Sequence, residues 1–73
     1  MNKGLTGNII EIIDAGAASF EGVLGVSEYS ENIIVLKLKN FSVKISGDNI
    51  HISEFEGGEA TIEGKLLSLS FHY

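Results

Sequence analysis

The stretch VKISGDNIHIS, residues 43–53, carries a pattern that returns as ATIEGKLLSLS at residues 60–70. Both copies read apolar-x-apolar-x-Gly-x-x-apolar-x-apolar. The first uses Val43, Ile45, Gly47, Ile50 and Ile52, and the second uses Ala60, Ile62, Gly64, Leu67 and Leu69. A period of two sends alternate side chains to opposite faces of a strand and does not build a helical stripe. Glycine, which tolerates positive φ, is the natural place for such a chain to turn. Gly47 and Gly64 are therefore read as turn residues between short strands. A solenoid needs three or more stacked units, and the third copy, around Val26, Ile33 and Val35, has Ser30 where the glycine should stand. Successive hairpins in one sheet fit two good copies better.

The rest of the chain has the same texture. Proline is absent, so Gly, Asn, Asp and Ser must make the turns. IIVLKLK (33–39) puts Ile34, Leu36 and Leu38 on one face and Ile33, Val35, Lys37 and Lys39 on the other. Ile33 and Val35 make that outer face partly apolar and mark it as a candidate contact surface. FSVKI (41–45) alternates after a break at Asn40. Glu56-Gly57-Gly58-Glu59 reads as a hairpin tip, with Gly57 and Gly58 suited to a primed turn. LLSLSFHY places Leu67, Leu69 and Phe71 in one register. SFEGV and GVSEY, around 19–29, are short strands after a small-residue turn at 15–19. Ile9, Ile10, Ile12 and Ile13 fit a helix or a strand; β-branching favours strand, so residues 1–15 are a leader or a first strand. Short strands with turns every 8–12 residues predict a single all-β domain over residues 1–73. The expected form is a small antiparallel β-sandwich of Ig-like size, with about seven to eight short strands; a β-barrel or roll, or a short solenoid, is the alternative.

A chain of 73 residues buries only ~60% of the surface its unfolded form exposes, so it gains from reinforcement. Without cysteine it has neither disulfides nor thiolate zinc sites, which leaves a well-packed apolar core or a partner such as a second copy to supply stability. The net charge of −5 and five basic residues, all lysine, argue against a phosphate-binding surface, whether nucleic acid or anionic lipid. No apolar run spans a bilayer, and the N-terminus lacks the h-region of a signal peptide, so a cytoplasmic protein is expected.

Chemistry finds no foothold. Glu54, Glu56, Glu59 and Glu63 flank an exposed hairpin tip and read as solvated, since acid–base catalysis needs a buried, aimed carboxyl group. Asp48-Asn49 does not continue as a calcium loop. His51 and Ser53 share a strand too closely for a triad, and no glycine cluster has phosphate-loop spacing. Neither an enzyme, a cofactor nor a metal site is expected.

Phe20-Glu21, Gly25-Val26-Ser27-Glu28-Tyr29, Ile34 and Leu36, Val43 to Ile52, Ile62-Glu63-Gly64-Lys65-Leu66 and Leu69-Ser70-Phe71 follow one another in an order that resembles the YabP/YqfC family of sporulation proteins. Phe41 stands where a glycine is common in that family, and the longer leader of many members is replaced by MNKGLTGNII. The resemblance implies a non-enzymatic assembly or adaptor module in spore coat or envelope morphogenesis, in the mother-cell compartment. It implies a protein partner, an integral membrane sporulation protein among the candidates, and Ile45, Ile50, Ile52, Ile62, Leu69 and Phe71 as core. A homo-oligomer is compatible with it. A small-ligand or glycan-binding β-sandwich domain is the alternative function.

Overall fold

The computed structural model describes residues 10–14 and 16–73, the first segment as backbone. The described residues form strands only: β1 (Ile10–Asp14), β2 (Ala17–Phe20), β3 (Gly25–Tyr29), β4 (Ile33–Lys37), β5 (Ser42–Glu56) and β6 (Glu59–His72). They make one open sheet in the order β1-β2-β6-β5-β4-β3, every pairing antiparallel. The all-β reading holds. The sandwich of seven to eight short strands gives way to six strands in one sheet, because segments that read as separate strands on either side of Gly47 and Gly64 are continuous in β5 and β6.

The long β5–β6 hairpin is shared by two half-sheets. Residues 42–46 of β5 pair with β4 on one side and with residues 68–72 of β6 on the other. Residues 51–56 of β5 pair with residues 59–63 of β6, and β2 takes the far side of that segment. The sheet must bend between these halves. Ala18 and Phe20 of β2 share one buried cluster with Ile34 and Leu36 of β4, although in a flat sheet three strand spacings, about 14 Å, would part them. Phe20, Ile34, Leu36, Ile45 and Ile62 are wholly buried, which one uncovered layer could not achieve. The halves close on each other over a common apolar face, as alternation along β4 and β5 requires.

The bend is made by bulges, each an extra residue that kinks and twists its strand. Ser46 pairs with Ser68 while Gly47 pairs with Leu66, leaving Leu67 unpaired in β6. Asp48 pairs with Lys65 while His51 pairs with Glu63, so two residues of β5, Asn49 and Ile50, face Gly64 alone. A third shift falls at Ser53. Asn49 takes φ 52°, the left-handed conformation that asparagine tolerates.

Gly47 and Gly64 thus stand inside strands at the kink and do not reverse the chain. They serve close approach. A Cβ on Gly47 would run into the Lys65 carbonyl and lie 2.7 Å from Ile50 Cγ2. One on Gly64 would lie 2.5 Å from Asn49 O and 2.7 Å from Ile50 Cα, and Gly64 also has φ +129°. Gly57 and Gly58 are the centre of the β5–β6 turn, with φ of 60° and 80°; positive φ at both positions is the type I′ condition.

Other assignments shift by a few residues. Ala17–Phe20 is strand rather than turn, and residues 21–24 connect β2 to β3 where SFEGV was expected to be strand. Residues 10–14 are strand, while expectations for residues 1–9 lie outside the described residues. Leu67 is exposed, because it is the bulged residue, and Phe71 is 44% exposed instead of core. Leu69 packs on the core as expected, and Leu66 joins it there.

Candidate interaction surface

Two hairpin tips hold the kink. The β3–β4 tip reaches β5: Gly47 N–H donates to Asn32 O (3.0 Å), Ile50 N–H donates to Glu31 O (2.9 Å), and Asn32 Nδ2 donates to Gly47 O (3.0 Å). Backbone groups that the bulge frees from the ladder find partners there, as buried amides must. On the other strand Gly64 N–H donates to Gly16 O (3.1 Å), from the β1–β2 connection. The β5–β6 tip is anchored in turn, Val23 N–H donating to Gly58 O (2.8 Å). Each glycine of the repeated pattern therefore receives one hairpin tip, which gives the two copies matched surroundings.

Catalytic chemistry has little to work with among the described residues. No polar or charged residue is buried, and no three His, Cys, Asp or Glu side chains converge on a metal-sized site. Glu54, Glu56, Glu59 and Glu63 are all exposed. His51 and Glu63 face each other across β5 and β6 at 3.8 Å, both about half-exposed, a pairing that contributes little in water. Ser19 and Thr61 share a cross-strand hydroxyl contact of 3.0 Å. No helix among the described residues is long and apolar enough to cross a membrane.

What the surface does offer is apolar area and unpaired strand. Ile33 and Val35 sit side by side on the outer face of the first half-sheet, half-buried, opposite Ser46 and Lys44 respectively. Ser42, Ser46, Ser68 and Ser70 extend that face across β5 and β6. A separate apolar patch lies where β6 ends. Phe41 stacks between Phe71 (5.8 Å, 35° between planes) and Tyr73 (5.3 Å, 31°), in the tilted, offset range that aromatic pairs favour. Leu67 and Tyr73 are strongly exposed nearby in sequence. Sequence reasoning marked Ile33 and Val35 but missed this patch, since a regular period-2 count placed Leu67 and Phe71 inside.

Besides the outer strands β1 and β3, the half-sheets leave two arms of the β5–β6 hairpin paired on one side only among the described residues. These are residues 51–56 of β5 and 66–72 of β6. Tyr29 Oη accepts a hydrogen bond from Ile52 N–H (3.0 Å) and so occupies part of the first arm. Among the described residues, no group from another strand does the same for the second.

Among curated proteins, none matches this chain. The model of the YabP family does, over residues 5–73, a longer span than the segment from Phe20 to Phe71 on which the resemblance rests; the protein belongs to the YabP family.

Proposed function

We propose that this chain is a non-enzymatic assembly module of sporulation, working through protein–protein contacts in the building of the spore coat or envelope. Family membership is the observation that carries the reading. Exposed apolar area and unpaired strand among the described residues are compatible with it. In this reading the outer face around Ile33 and Val35 receives a protein partner, an integral membrane protein being one candidate. The chain itself works in the cytoplasm of the mother cell.

Disruption of the gene in a spore-forming host should lower the yield of heat-resistant spores. Unchanged yields, with no second family member to compensate, would remove the reading. The double substitution Ile33→Lys, Val35→Lys should reproduce that loss while the purified protein keeps its strand content. Both side chains lie on the outer face, where lysine stems can lie along the sheet with their charges in water. Full function in the double variant would acquit that face.

A further inference from the structure

We propose that residues 66–72 of β6 form a self-pairing edge, through which two copies of this chain join their sheets in an antiparallel β6–β6 contact. Soluble proteins protect open strand edges with charge, proline, bulges or a covering element. From Leu66 to Tyr73 the sequence is LLSLSFHY, with neither a Lys, Arg, Asp or Glu nor a proline. In a chain with ten acidic residues and a net charge of −5, an eight-residue stretch free of them is a place where two copies can meet without like-charge repulsion. Leu67, Phe71 and Tyr73 are 62%, 44% and 91% exposed, so apolar area there awaits burial.

The pattern also selects the partner and the register. A two-fold axis requires that residue i facing residue j implies j facing i. Centring the axis on Leu69 places Ser68 opposite Ser70 of the second copy, with the bulged Leu67 at the end of the paired segment. Leucine meets leucine on the axis and hydroxyls meet hydroxyls beside it, combinations that stabilise cross-strand pairs. A shift of one residue would set Ser against Leu or Phe at the centre of the contact, so the edge favours this register. The contact would extend along about 20 Å of strand, and a second copy would supply the reinforcement that so short a chain lacks. This proposal deepens the assembly reading and rests on it only for its purpose; the edge contact stands or falls on the purified protein.

Sedimentation equilibrium of the purified chain over a wide concentration range should give a mass approaching twice 7.8 kDa. The variant Leu67→Lys, Ser70→Lys places four positive charges in the paired edge and should sediment as a monomer with unchanged strand content. Leu24→Lys, exposed on the β2–β3 connection, should leave the dimer intact. A wild-type monomer throughout the range overturns the proposal without touching the spore phenotype, and so does a dimer that survives the double substitution. If that variant fails to fold, cysteine trapping decides. Under mild oxidation Leu69→Cys, on the axis, should form a disulfide-linked dimer at least ten times faster than Leu67→Cys. Equal rates reject the register and the self-pairing with it.

Discussion

The two arms of the β5–β6 hairpin beyond the kink begin from the same sequence pattern and meet water differently. The β5 arm, residues 51–56, carries Glu54 and Glu56. It has a register shift at Ser53, and Tyr29 Oη occupies its Ile52 amide. Charge, bulge and cover are three of the means by which proteins keep an open edge from pairing. The β6 arm, residues 66–72, has the Leu67 bulge at its root and is uncharged beyond it. One arm is built to stay single and the other is left available. Symmetry of pattern produced a matched pair of strands, and the differences at non-repeating positions assign them different tasks.

That contrast can be broken at several points. The largest effect should come from the kink on which both arms depend. Gly64→Ala combines a left-handed conformation with contacts of 2.5 and 2.7 Å to backbone, and should cost about 3 kcal/mol or more. Gly47→Ala has the steric conflict without positive φ and should cost about 1–3 kcal/mol. Urea denaturation of both variants checks the order; a larger loss at Gly47 would show that φ at Gly64 matters less than the crowding at Lys65.

A smaller effect is expected at the hairpin tip that seals the kink. Asn32→Ala removes the amide donor to Gly47 O and should cost about 1 kcal/mol, read as a lower denaturation midpoint with an unchanged slope. Tyr29→Phe, losing one acceptor at an exposed site, should cost less, about 0.5 kcal/mol. Its informative readout is association: the Ile52 amide is uncovered, so sedimentation should reveal species beyond the dimer. Substituting Glu54 and Glu56 by Gln removes the charges of the same arm and should act in the same direction, with a stability change within about 0.5 kcal/mol. If neither variant alters the assembly state, charge and the tyrosine cap are not what keep that arm single.

Much of the inner face was legible from alternation. Ile34, Leu36, Leu38, Val43, Ile45, Ile50 and Ile62 are buried as period two requires. It failed just beyond Gly64, where a bulge interrupts the alternation: Leu66 turns inward, Leu67 outward, and the count resumes at Leu69. Sequence rules do not place bulges, because a bulge is stabilised by what fills it. Here the fillers are Glu31 and Asn32, from a hairpin tip 15 or more residues upstream of the backbone groups they satisfy. The same reason explains why Gly47 read as a turn. A glycine under another strand's carbonyl and a glycine in a reversal look alike in sequence. Ile33 and Val35 were legible as a partly apolar outer face and are found half-buried there. The patch of Phe41, Phe71 and Tyr73 was not, since these residues meet only once β6 lies beside β5.

Strand composition, the inner face of β4 and the Gly57-Gly58 reversal were decided locally, by side-chain alternation and by the φ freedom of two adjacent glycines. The number of strands, the bend that folds one sheet over its own core, and the choice of which edge stays open were decided by the tertiary structure. Each depends on contacts between residues far apart in the chain: the Gly47 and Gly64 backbones against the facing strand, and hairpin tips on freed amides. Such contacts exist only after the strands have paired, so the repeated pattern could announce two equal strands but not how differently their ends would be used.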